Sequence, residues 1–220
     1  MKIKITNIKS IFTFDKDSNS VENLIDKELL IEDGNISSID KHIPFEGKIV
    51  DANNCVLTPG FIDSHTHPIF IGNRANEFNM RCMGRNYNEI AKNGGGINSS
   101  VNQFRKSNLD EIYDSSIENI NQLLINGSTT VEAKSGYGLS LKDEIKSLEV
   151  IRKINDNSPI DVIPTFMGAH AIPKEFSNNK QKYIDLICNE MIPEISEKKL
   201  ANFCDVFCEK GYFNLEETKS

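Results

Sequence analysis

Pro59-Gly-Phe-Ile-Asp63-Ser-His65-Thr-His67-Pro68 is the stretch on which the fold turns. Its apolar opening, Phe61-Ile62, follows the turn residues Thr58-Pro59-Gly60 and reads as the start of a strand. Two histidines in i, i+2 register close it. Alternation along a strand puts both imidazoles on one side, where two ring nitrogens can reach one metal ion at ~2.0–2.1 Å. In a parallel α/β sheet the C-terminal strand ends are where ligands and catalytic groups collect. His65 and His67 are therefore the candidate metal ligands. Two imidazoles do not fill a coordination shell, and the other histidines are His42 and His170. Of these, His170 follows a later strand and could close the site from a neighbouring strand end.

Downstream, apolar strands alternate with amphipathic helices in the βαβ manner that implies a parallel sheet. Leu109, Ile112, Ser116, Ile120 and Leu123 share a helical face, with Asn108 as the N-cap and Gly127 as the stop. Thr129–Lys134 is the next strand. Leu141, Ile145, Leu148, Ile151 and Ile154 mark a second helix, and Asp161–Phe166 a third strand. Tyr183, Ile184, Ile187, Met191 and Ile195 mark a third helix, kinked at Pro193 because proline removes a hydrogen bond and crowds the preceding turn. Phe203–Cys208 is the fourth strand. Four strands are half of the eight that a closed (β/α)₈ barrel requires. The pattern fits either an open α/β sheet or part of a TIM-like barrel.

Upstream, residues 1–58 read as a small β-domain, with strands at Lys2–Ile8 and Ile11–Phe14. Two more, within Glu28–Ile39, are joined by the hairpin signal Asp33-Gly34. Residues 59–220 form the α/β part.

Composition narrows the function classes. The 220 residues carry 32 acidic and 25 basic side chains, a net charge of −7, and no Lys/Arg-rich run, so nucleic acid is not an expected partner. No stretch approaches the ~20 apolar residues that span a bilayer, and the alternating N-terminus does not read as a secretory signal. The expectation is a cytoplasmic protein without a membrane partner. Five cysteines, an odd number without a CxxC, suit a reducing compartment and are expected to be buried thiols. Among them, Cys204 and Cys208 should share one strand face.

The motifs together resemble a known family. PGFIDSHTHP after a small β-domain is similar to the amidohydrolase superfamily. Asn73-Arg74-Ala-Asn-Glu77-Phe78, Gly94-Gly-Gly-Ile97, Thr129-Thr-Val-Glu-Ala-Lys-Ser135-Gly-Tyr137-Gly-Leu139, Pro164-Thr-Phe-Met-Gly168-Ala-His170-Ala and Asp205-Val-Phe-Cys-Glu209 resemble imidazolonepropionase. The resemblance implies a partial (β/α)₈ barrel of about four strands preceded by a small β-sandwich-like domain, the N-terminal half of a longer enzyme. It implies metal-dependent hydrolysis of 4-imidazolone-5-propanoate to N-formimidoyl-L-glutamate, with one divalent or trivalent ion, zinc or iron, and a homodimer in the full-length form. By the same resemblance His65 and His67 are metal ligands, and Arg74, Tyr137 and His170 contact the small-molecule substrate. The family's acid/base residues and remaining ligands fall beyond Ser220, so the alternative is an inactive fragment with an incomplete metal site.

The residue types suit those roles. Arg74 could grip a carboxylate in a bidentate fork. Tyr137, between Gly136 and Gly138, sits where the backbone can approach a ligand closely. His170 could donate to a ring carbonyl. Gly94–Gly96 reads as a lid hinge, Lys134 as a structural residue rather than a metal-bridging one, and Glu209 takes no role.

Overall fold

The computed structural model describes residues 1–86, 89 and 95–220, which fall into two compact units, Met1–Gly60 and Phe61–Ser220.

The first unit contains only strands. β1 (Lys2–Thr6), β4 (Glu28–Glu32), β5 (Asn35–Asp40) and β6 (Lys48–Asp51) form one sheet in the order β5-β4-β1-β6. β2 (Ser10–Asp15), β3 (Ser20–Leu24) and β7 (Val56–Leu57) form another in the order β3-β2-β7. The first sheet has two antiparallel pairs and one parallel pair, β1 with β6, and the second one antiparallel pair and one parallel pair, β2 with β7. Ile8, Ile11 and Leu29 are buried with residues of both sheets packed around them, which makes the unit a small sandwich. The β4–β5 hairpin turns on Asp33 (φ 49°) and Gly34 (φ 83°), two successive left-handed residues as a type I′ turn demands.

The second unit holds a curled parallel sheet of β8 (Phe61–Thr66), β9 (Ser128–Lys134), β10 (Asp161–Ala169) and β11 (Phe203–Val206). Spatial order follows chain order, β11-β10-β9-β8, without the reversal that marks a doubly wound sheet. That sequential order is the wall of a barrel, four strands of it.

Helices α1 (Ala75–Cys82), α2 (Ile97–Lys106) and α3 (Leu109–Ile125) precede β9, and α4 (Leu141–Asn157) precedes β10. Asn108 caps α3 as expected: its side chain accepts from the Glu111 N–H, and Glu111 returns the bond to the Asn108 N–H. The outward face of β9, Val131 and Ala133, is buried with Ile112, Ile120, Leu148 and Ile151 of the covering helices. Its inward face, Thr130, Glu132 and Lys134, lines an open concavity of about 410 Å³ with Ile62, Thr165, Phe203 and Asp205. The edge strands leave Phe61, Ile62 and Phe203 more than half exposed.

Two sequence expectations change here. The helix before β11 runs through α5 (Lys180–Leu186), a π turn (Ile187–Met191) and α6 (Ile192–Glu197). The π turn ends just before Pro193, where the Ile192 N–H bonds back to Ile187 O, so the proline is absorbed by widening the ladder. The cysteines are not buried thiols: Cys55, Cys82, Cys204 and Cys208 are exposed and Cys188 is intermediate. Cys204 lies on an edge strand, and Cys208 falls past the strand's end at Val206, so the two share no strand face. A short helix, α7 (Leu215–Lys219), ends the described chain, with Asn214 as its cap.

In the concavity Lys134 Nζ lies 2.7 Å from Glu132 Oε1 and 2.8 Å from Asp205 Oδ2. Burial pulls this ammonium down, but the bonds to Asp205 and Glu132 outweigh it and hold the pKa above the ordinary lysine value. An amine kept protonated between two carboxylates is a structural cation. Lys134→Met should lower stability by about 3 kcal/mol, the lower end for breaking a buried ion pair because Asp205 keeps contact with solvent. A urea melt of the variant with an unshifted midpoint would refute that role.

Candidate functional site

The C-terminal ends of β8, β9 and β10 bring three of the expected site regions together. His67 follows β8, Tyr137 follows β9 and His170 follows β10. The His67 and His170 rings stack with centroids 4.9 Å apart and 25° between planes. His65 meets His67 edge-on at 5.4 Å, so both imidazoles lie on one side, and a bulge in the β8–β9 pairing falls between Asp63 and Thr66. Asp63 Oδ1 accepts the His65 N–H at 3.3 Å within that bulge. Tyr137 lies 6.1 Å from His67 and 5.4 Å from His170. Phe207, just past β11, adds a ring 6.2 Å from His170 that the sequence reading did not single out.

His67 Nδ1 is buried and has no hydrogen-bond partner among the described residues. Burial, with His170, His65 and Lys134 nearby, pushes its pKa down to about 4, so the ring is neutral at physiological pH. A neutral imidazole with an orphaned nitrogen beside a second imidazole fits a metal ion, and His65 and His67 would hold it. The set stops at two: among the described residues no three His, Cys, Asp or Glu side chains converge to form a metal site.

Arg74 stands ahead of α1, where its Nε and Nη2 both donate to Ser100 Oγ, at 3.3 and 3.2 Å. It lines a cavity of about 360 Å³ with Phe70, Ser100, Gln103 and Tyr137. An arginine fork, a phenol and an amide around such a volume suit a small polar ligand with a carboxylate.

His170 Nδ1 sits 2.9 Å from Gly136 O. A nitrogen facing a carbonyl oxygen must carry the proton, which fixes Nδ1–H. Burial lowers the ring's pKa, the Gly136 contact opposing it. In the neutral ring Nε2 accepts; the donation to a substrate carbonyl read from the sequence requires the imidazolium form.

The loop carrying Tyr137 is held from two sides by residues the sequence reading missed. Glu144, fully buried in the first turn of α4, accepts the N–H groups of Gly136 (3.0 Å), Gly138 (2.9 Å) and Leu139 (2.8 Å). Burial pushes its carboxyl up, while the Ser135 hydroxyl and these N–H groups pull the other way. Arg105 of α2 donates Nε to Gly138 O (2.7 Å), Nη2 to Leu139 O (2.8 Å) and Nη1 to Glu175 (2.7 Å). The signal for Glu144 was its spacing, one turn above the buried Leu148 and Ile151 row. A side chain on Gly138 would put Cβ 2.5–2.8 Å from backbone atoms of Asp143 and Glu144, contacts no rotamer relieves. Gly138→Ala should therefore cost about 2–3 kcal/mol, read from its urea midpoint; a wild-type midpoint would show that the loop yields freely.

Of the remaining sequence expectations, Gly94 lies outside the described residues. Gly96 caps α2, its N–H donated to the buried Glu77 Oε1 at 2.9 Å. Glu209 is exposed beyond β11.

No family model matches the chain. Among curated proteins, imidazolonepropionase of Thermoanaerobacter pseudethanolicus is 43% identical over 98% of this chain and 54% of its own length. That of Brevibacillus brevis is 49% identical over 79% of this chain and 41% of its own. This chain is a relative of the imidazolonepropionases. It spans about half the length of the curated relatives it matches. Solved structures agree on the fold. Atrazine chlorohydrolase of Arthrobacter aurescens, crystallised with zinc, superposes with a TM-score of 0.53 at 15% identity, covering 89% of this chain and 43% of that one. 5-methylcytosine deaminase of Klebsiella pneumoniae gives 0.52 at 12% identity, covering 92% and 50%. Beyond the bilayer argument from sequence, no helix among the described residues is long and apolar enough to cross a membrane.

Proposed function

We propose that this chain supplies the substrate-holding half of an imidazolonepropionase-type hydrolase, opening the ring of 4-imidazolone-5-propanoate to N-formimidoyl-L-glutamate in histidine degradation. The observation that carries this reading is the cluster of His65, His67, Tyr137 and His170 rings at the strand ends, with Arg74 and Tyr137 lining one cavity. A bound zinc or iron would acidify a water and polarise the imidazolone carbonyl. Arg74 would hold the propionate, its fork already oriented by Ser100. Tyr137 and the stacked His67 and His170 rings would shape the slot for the planar ring, with His170 Nε2 accepting a ring N–H. The two-domain division at residue 58, the cytoplasmic setting and a dimeric full-length enzyme belong to the same reading.

The second reading is an inactive fragment, and the two-imidazole limit of the metal site favours it for the chain alone. Both are tested by measuring imidazolonepropionate consumption with the chain alone and with a segment supplying four further strands with the family's acid/base residues. We expect turnover only in the mixture, and its loss with Arg74→Ala. Turnover by the chain alone would sink the fragment reading; no turnover in a folded, metal-loaded mixture would sink the hydrolase reading.

A further inference from the structure

We infer that Glu144 is a positioning residue for His170, acting through the backbone of Gly136. Glu144 Oε2 takes the Gly136 N–H at 3.0 Å, and the carbonyl of the same residue stands 2.9 Å from His170 Nδ1. One peptide neighbourhood thus links a buried carboxylate in α4 to the proton on an imidazole at the end of β10. The space admits nothing else. Gly136 has φ 107°, and a Cβ there would lie 2.8 Å from Met167 O and 2.9 Å from His170 Nδ1. The carbonyl reaches the ring because residue 136 has no side chain, and the bond on its N–H holds that residue in place behind it. Ser135 reinforces the arrangement, its hydroxyl accepting the Met167 N–H at 2.9 Å. Glu144 touches no substrate-facing ring itself. Its effect is to keep the proton on Nδ1 and leave Nε2, which has no hydrogen bond among the described residues, for the ligand.

The carboxylate divides its work by atom. Of the three backbone N–H groups, Oε2 takes that of Gly136 and Oε1 those of Gly138 and Leu139. An amide in the same place keeps one acceptor oxygen, and turning its NH₂ toward Gly136 sacrifices one bond instead of two. Glu144→Gln therefore releases Gly136 selectively and spares the turn beyond it. Arg105→Lys is the matched control, because Arg105 grips the carbonyls of Gly138 and Leu139 and not Gly136.

The inference rests on the reading that His170 faces the ligand, but its test does not need turnover. The experiment is ¹⁵N NMR of the histidine rings in the metal-free full chain at neutral pH, with the chelator kept in the buffer. In the wild type, His170 should appear as a single Nδ1–H tautomer. In Glu144→Gln that signature should be lost to a mixture of tautomers, and in Arg105→Lys it should persist although thermal stability falls. An Nε2–H tautomer in the wild type overturns the inference without any variant. So does a Glu144→Gln protein whose His170 signals are unchanged, or an Arg105→Lys protein that shifts them equally, which would make the loop a structural unit only. Failure of the hydrolase reading would show separately, as absent turnover with an intact Nδ1–H signature.

Discussion

Glu144→Ala is expected to lower the unfolding free energy by about 3–5 kcal/mol, since it strips partners from three buried backbone N–H groups at ~1–3 kcal/mol each with some relief from entering water. The removed carboxylate is fully buried at the junction of β9, the Tyr137 loop and α4, where no other side chain accepts those hydrogens. For a chain of this length the loss should move the thermal midpoint by roughly 10 °C or more. Chemical denaturation of wild type and variant checks it, and a difference below about 1 kcal/mol would mean the loop finds other acceptors. An apolar replacement should do no better than alanine, because the cost lies in the orphaned donors and not in lost volume.

The second large effect concerns metal. The chain should bind one divalent cation, tested with Zn²⁺ or Ni²⁺ by calorimetry, weakly enough for a chelator to remove it, because His65 and His67 supply two ligands and no third converges among the described residues. Either His65→Ala or His67→Ala should abolish that binding, as a single imidazole leaves only a surface-grade ligand. Protons compete with metal for an imidazole, so acid weakens binding through His67 as its pKa is approached. Burial has lowered that value to about 4, so His67 stays unprotonated and available as a ligand well below neutrality and is lost to protons only as the pH nears 4. Stoichiometric metal that survives dialysis against chelator would contradict the two-ligand picture, and binding unaffected by His67→Ala would move the site elsewhere.

Local chemistry makes much of this molecule legible in its sequence. The Asp33-Gly34 pair dictates its hairpin because both residues must turn left-handed there, and Asn108 begins its helix because its side chain replaces a missing carbonyl. The i, i+2 spacing of His65 and His67 placed two imidazoles on one side, since a strand alternates whatever it packs against. Alternation of strands and helices announced a parallel sheet, yet left open whether it was doubly wound or barrel-like. That choice is one of strand order, which depends on pairings between residues distant in the chain, such as Val131 with Val162 and Ile62 with Thr130. Exposure of Cys204 and Cys208 was equally beyond the sequence, because apolar composition does not say which strands lie at an edge. Glu144 is the sharpest case. Its spacing puts it on the buried row of α4 and its place in the first turn suits a helix dipole, but only the fold of the Gly136–Leu139 loop over the end of α4 makes it the acceptor of three N–H groups. Periodicity and turn chemistry act within a few residues and are written in the chain; which carbonyl meets His170, and what holds it there, is decided where distant segments close on one another.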